Sequence, residues 1–274
     1  MSASALSTRY RTAFVTGAST GLGRAFADML LADGVKVWGT ARDAARLRIA
    51  DGFHPVALEL ADGAGAEQTF LEAERAAGGF DIVINNAGYG VFGGFTTTEF
   101  LVWQRQIEMM LVTTARLSHA ALRGMLARRR GALVNVSSLA AEFPMPFQSG
   151  YNVVKSGLSA LNESLMFETQ GTGVIIIDFR PGDYRTDFEG SVQRPALVTD
   201  ARQQRVWAAF ARLMASGPVP AHAARGLRGA LLRRRSDTVR TGRFFQAAFS
   251  PLLARFGSLA LRRRILARYF GLRT

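Results

Sequence analysis

The chain has no cysteine, three histidines and, among 34 basic residues, only two lysines. Without cysteine, disulfides and thiolate-bound zinc are excluded. His54, His119 and His222 are far apart and lack metal-ligand spacing, so no metal centre is expected. No run of about 18 apolar residues is free of charge, which argues against a spanning helix. Met1 to Thr12 is polar and has no apolar core of the roughly 7 to 15 residues that a secretory signal needs. These absences point to a cytoplasmic protein. What is present is 48% hydrophobic residues in a chain of 274, enough for one large domain with a sizeable core.

The net charge of +13 is unevenly spread. Residues 225–274 hold 13 arginines and one acid, Asp237, whereas residues 1–224 hold 21 basic and 20 acidic residues. The body is balanced, so a nucleic-acid partner is not expected, and the excess belongs to the tail.

Short apolar runs alternate with helical patterns. Strands are expected at 13–17, 35–40, 55–60, 81–85, 132–136 and 174–179, with helices at 22–33, 64–77, 99–128 and from Tyr151 to about 169. Continuous Val/Ile strands between helices imply a parallel sheet covered on both faces. The expected fold is therefore α/β: a three-layer, doubly wound parallel sheet (Rossmann fold) in a single domain. This domain is read over 1–235, with a substrate lid at about 183–222 and a basic helical extension over 236–274.

Gly17, Ser19, Thr20, Gly21, Leu22 and Gly23 join the first strand to the first helix. Such a turn allows close backbone approach and presents a helix N-terminus to a pyrophosphate. Asn86, Ala87 and Gly88 end the fourth strand, Ser138 follows the fifth, and Pro181, Gly182 and Thr186 follow the sixth. Tyr151 and Lys155 are spaced to share one helix face. In a chain that writes arginine almost everywhere, lysine here suggests a need for a compact cation beside the phenol, where it would lower the phenol pKa.

Taken in this order, TGxxxGxG, NNAG, a serine thirteen residues before the tyrosine, YxxxK, and PG followed by Thr resemble the short-chain dehydrogenase/reductase family over about residues 10–190. The resemblance implies hydride transfer between NAD(P) and a carbonyl/alcohol pair. Tyr151 would be the general acid for reduction, Ser138 would hold the carbonyl oxygen, and Lys155 would lower the tyrosine pKa and bind the nicotinamide ribose. Ser137 is read instead as a strand-end serine bonding backbone. Asn86 to Gly88 would flank the cofactor, and Pro181, Gly182 and Thr186 would close on the nicotinamide. A homodimer or homotetramer is common in the family. The alternative function is a non-catalytic NADP(H)-binding protein that uses the fold for interaction or regulation.

The second strand ends in Thr40-Ala41-Arg42, with a guanidinium where an NAD-binding relative has an acid, so NADP(H) is expected over NAD(H). Glu59 and Leu60 would lie beside the adenine. One position departs from the family: Met110 stands where an asparagine usually supports a proton relay.

Tyr89, Val91, Phe92, Phe143, Met145 and Phe147, with Phe188, Leu197, Val198, Trp207, Phe210, Leu213 and Met214, make the expected substrate side apolar. A hydrophobic substrate, lipid-, steroid- or retinoid-like, follows. In the tail, apolar residues from Leu252 to Phe270 interleave with Arg255, Arg262, Arg263, Arg264 and Arg268. This pattern fits an apolar face packed on the body or a second copy, ahead of peripheral contact of 245–274 with an anionic membrane.

Overall fold

A computed structural model of the chain describes residues 5–194, 200–249, 252–253 and 256–272. The centre of its sheet is made by runs whose residues are all buried: β1 (Thr12–Val15), β4 (Ile82–Asn85) and β5 (Gly131–Val136). Strands buried on both faces have no need of polar alternation, which explains their mostly apolar character; the buried Asn85 and Asn135 hydrogen-bond each other at 2.8 Å. Flanking them are β2 (Lys36–Ala41), β3 (Phe53–Ala57), β6 (Val174–Pro181) and β7 (Asp237–Thr241). All pairings are parallel and the order is β3-β2-β1-β4-β5-β6-β7. Pro55 is tolerated because β3 is an edge strand.

One face of the sheet is covered by α1 (Gly21–Ala32) and α7 (Pro220–Arg233), through Phe26, Leu30, Leu227 and Leu231. The other is covered by α2 (Gly63–Ala77) and α4 (Thr113–Ala127), through Phe70, Leu117 and Met125. The chain reverses its winding between β1 and β4, which opens a crevice at their carboxyl ends. Helix α5 (Ser149–Glu168) carries Tyr151 and Lys155 to that edge.

The expected helix over 99–128 is interrupted. It consists of α3 (Phe100–Ile107), a π turn over Glu108–Val112, and α4. No proline or glycine marks the break, so the hydrophobic period reads straight through it. The third strand starts and ends earlier than 55–60. The seventh strand escapes a pattern search because it reads Asp-Thr-Val-Arg-Thr, with Val239 its only large apolar residue. It lies beyond residue 235, so the sheet continues into the stretch read as the extension. The lid region contains α6 (Ala201–Ala215), while Leu197 and Val198 lie outside the described residues. Helix α8 (Leu259–Tyr269) is the last described element.

Candidate active site

The crevice is a cleft of about 1560 Å³ that runs from the end of β2 to α8. At its floor, Gly17 and Gly21 adopt φ of +68° and +57°, a region closed to most side chains. Thr20 precedes α1 without capping it by its side chain, so the first-turn N–H groups face the cleft without that partner. Ser19, Thr20, Gly21 and Leu22 line the cleft; Gly23 does not. A Cβ on Gly23 would lie 2.1 Å from the Gly17 carbonyl oxygen, so this glycine packs the helix onto the turn.

The wall opposite is made by Asn86, Ala87 and Gly88. Asn86 Nδ2 donates to Thr16 O at 3.0 Å, which ties β4 to β1. At the far end lie Arg42, Glu59 and Leu60, with a second guanidinium, Arg46. Both nearby carboxylates are engaged with backbone: Asp43 accepts from Ala45 N and Glu59 from Ala61 N, each at 2.9 Å.

Toward α8 the cleft holds Ser138, Tyr151, Lys155, Pro181, Gly182 and Thr186. Ser138 Oγ accepts from Ala140 N at 3.0 Å, which fixes the serine at the start of a short 3-10 turn. Its hydroxyl lies close enough to the Tyr151 phenol to lower the phenol pKa. Lys155 Nζ donates to Val136 O at 2.8 Å and stands 5.4 Å from the Tyr151 ring centre. The expected lowering of the phenol pKa by Lys155 is not seen. Burial pushes Tyr151 up to about 12, partly opposed by the Ser138 hydroxyl and reinforced by the Asp183 carboxylate. Burial also pulls Lys155 down to about 8, against the Asp178 charge. In a dry pocket, desolvation penalises both charged forms more than Ser138 and Asp178 offset it.

Ser137 differs from its expected role as well. It donates mainly to the buried Asp178 carboxylate, with a longer 3.4 Å contact to Phe179 O. Asp178 also accepts from Ser159 at 3.0 Å and Asn162 at 3.1 Å, and pairs with Arg180 at 2.7 Å. Arg180 pairs with Glu142, which Arg240 meets at 2.7 Å. Met110, 2% exposed on the π turn, accepts from Tyr89 N through Sδ at 3.4 Å.

Tyr89, Phe143, Met145, Phe188, Phe210 and Met214 line the substrate side. Phe92, Phe147, Trp207 and Leu213 pack into the cluster around α6 instead, and Val91 is buried in a bridge to Gln193.

A family model described as short chain dehydrogenase matches residues 11–196. The chain belongs to the short-chain dehydrogenase family. It is 32% identical over 65% of its length to a "short chain dehydrogenase" of Pseudocercospora fijiensis, and spans 60% of that protein. It is 31% identical to the 3-oxoacyl-[acyl-carrier-protein] reductase FabG of Vibrio cholerae, over 72% of this chain and 84% of that one. A short-chain dehydrogenase structure from Streptomyces avermitilis covers 98% of this chain and 97% of its own, at TM-score 0.80 and 27% identity. As a short-chain dehydrogenase the protein is an oxidoreductase acting on a CH–OH/C=O pair. Arg46, Asp183 and Gln246 line this dehydrogenase's cleft without having been expected there, and Tyr269 was expected only in the apolar pattern of the tail. Arg46 had a signal, as a second arginine one short turn after Arg42. The other three meet only through long-range folding.

Proposed function

We propose that this protein is an NADP(H)-dependent reductase/dehydrogenase of a hydrophobic carbonyl or alcohol, with Ser138, Tyr151 and Lys155 as its catalytic residues. The observation that carries the reading is their position. Ser138, Tyr151 and Lys155 open into the same cleft as an uncapped helix N-terminus behind a glycine turn. The residues fit a dinucleotide: α1 offers N–H groups to a pyrophosphate, and the backbone at Gly17 and Gly21 leaves room for it. Asn86 to Gly88 would flank the nicotinamide side, and Pro181, Gly182 and Thr186 would close it. When bound, the nicotinamide supplies or accepts the hydride.

This chain's own residues handle the oxygen and the proton. In reduction, Ser138 hydrogen-bonds the carbonyl oxygen and Tyr151 gives it a proton; burial keeps the phenol in the protonated form that a donor needs at neutral pH. Lys155, 5% exposed, supplies the adjacent cation. NADP(H) over NAD(H) is supported by Arg42 and Arg46 at the adenine end, where Asp43 and Glu59 are turned to backbone. A hydrophobic substrate is supported by Phe143, Met145, Phe188, Phe210 and Met214 beside Tyr151.

The tail's inner side packs on the body: Phe270 is buried with Phe210 and Met214, and Leu266 joins them. Phe256, Leu259 and Leu261 remain exposed beside the arginines. They form the face on which peripheral contact with an anionic membrane would occur, and sedimentation with anionic liposomes tests it.

The decisive measurement of the activity is oxidation of NADPH by a panel of hydrophobic ketones and aldehydes, compared with NADH. Turnover abolished by Tyr151→Phe, with NADPH binding retained, supports an enzyme. NADPH binding without turnover of any panel member supports the non-catalytic alternative.

A further inference from the structure

Helix α8 lies outside the matched residues 11–196, yet it borders the reacting end of the cleft. Arg262, Ile265, Leu266 and Tyr269 fall on one helical stripe at i, i+3, i+4 and i+7. The two ends of this stripe are anchored to opposite sides of the mouth. Arg262 donates to the Glu142 carbonyl and stacks over Phe143 at 5.5 Å, in the segment after Ser138. Seven residues on, about 10 Å along a helix, Tyr269 Oη donates to Asp183 Oδ2 at 3.1 Å, just after Gly182. Ile265 and Leu266 lie between the anchors and line the cleft.

The Asp183 anchor is a built arrangement. Gln246 Nε2 donates to the same Oδ2 at 2.5 Å and to Tyr269 Oη at 3.1 Å, closing a triangle. Gln246 fits because residue 182 is glycine: a Cβ there would stand 2.6 Å from Gln246 Oε1. Phe270 extends the anchor into the lid cluster with Phe210 and Met214. The helix therefore bridges the Ser138 segment, the Gly182 segment and the lid, along the same cleft that Ser138 and Tyr151 line.

We propose that α8 is the substrate-selecting roof of the crevice, and that Tyr269, clasped to Asp183, is a specificity-determining residue that holds Ile265 and Leu266 against the apolar part of a long-chain carbonyl substrate. This rests on the oxidoreductase reading above. The clasp makes the roof an apolar wall at a fixed height, so the reward for binding should grow with the length of the group it covers.

The test uses the full chain, Tyr269→Phe, which keeps the ring and removes the hydroxyl, and Asp183→Asn. Two methyl ketones, 2-butanone and 2-nonanone, are assayed with NADPH. In parallel, tryptic cleavage at Arg262, Arg263 and Arg264 is followed with NADPH present, with and without 2-nonanone. The wild type should favour 2-nonanone in kcat/KM, with the ratio between the ketones falling about tenfold in both variants, mainly through KM. 2-Nonanone should slow tail cleavage several-fold in the wild type and much less in Tyr269→Phe. An unchanged ketone ratio in the variants, or wild-type cleavage indifferent to 2-nonanone, overturns the roof. If neither ketone is reduced, the catalytic reading fails on its own, and the cleavage arm alone decides the roof.

Discussion

Lys155 Nζ stands 5.4 Å from the Tyr151 ring centre, and its hydrogen bond runs not to the phenol but to the Val136 carbonyl at 2.8 Å. The ammonium is thus seated on the end of β5, one turn along α5 from the tyrosine. A compact donor fits this 5%-exposed seat; a planar guanidinium is larger and directs its donors as a fork. Lys155→Arg keeps the charge and follows the chain's own preference, yet kcat should fall by roughly 100-fold or more. Steady-state assays with NADPH, with circular dichroism to confirm the fold, check this.

The same burial makes stability depend on alkaline pH in two opposing directions. Lys155 is held at about 8 in the fold against 10.5 ordinarily. Between those values the unfolded chain keeps a proton that the folded chain has released, so stability rises with pH, by up to roughly 3 kcal/mol. Tyr151, raised from 10.0 to about 12, acts the other way. Its contribution is complete below pH 10 and is lost as pH rises toward 12, because the unfolded phenol ionises first. Urea midpoints of the cofactor-free protein should therefore climb from about pH 8 and turn down above about 10. Lys155→Met should flatten the climb and leave the decline.

Arg180 joins two carboxylates, Asp178 and Glu142, whose side chains are 1% and 10% exposed. Removing the arginine leaves Asp178 with neutral donors only and Glu142 with Arg240 alone. Arg180→Met should cost about 3–5 kcal/mol in denaturant unfolding, the range for breaking a buried pair by one partner. Arg240→Met should cost less, since Arg180 still faces Glu142. Equal losses would falsify the assignment of Arg180 as the bridge.

At the adenine end, Arg42 is exposed and stands with Arg46 in the cleft. Neither makes a large packing contribution there, so their substitution should act on the ligand. Arg42→Ala should weaken NADPH about tenfold, and the Arg42/Arg46 double substitution further, with NADH changed by less than about twofold. Fluorescence titration with both nucleotides reads this directly.

What the sequence disclosed and what it hid follow a physical division. The glycine turn, Asn86–Gly88, Ser138 and Tyr151–Lys155 were legible because each is a local strand-end or helix-face signal. Together they mark the carboxyl ends of the strands, where the cleft lies. The Asp183–Tyr269 pair was not, since 86 residues separate its members and neither has a distinctive neighbourhood. The expected pKa relation failed for a related reason: spacing reveals which side chains are close, but not how dry their pocket is. Strand β7 was hidden because an edge strand with one buried valine carries little hydrophobic pattern, and the π turn because its residues are as helical in composition as their neighbours.

Met110 sits on that π turn, with its Sδ against Tyr89 N at 3.4 Å and its Cε only 2.7 Å from where a Cβ on Gly88 would be. It fills the space beside the nucleotide wall with apolar atoms and offers only a weak acceptor. Met110→Asn shortens the side chain, vacates part of that space and supplies an amide able to hold water near the lysine. The cost is a buried polar group and a partial cavity, about 1–3 kcal/mol of stability. Turnover should nonetheless be preserved or raised, because a proton path from Lys155 to solvent gains a polar station. Thermal melts and kcat measured on the same preparation separate the two effects. A sharp fall in kcat with the fold intact would mean that Met110 itself shapes the nicotinamide side, and that the missing asparagine does not limit this enzyme.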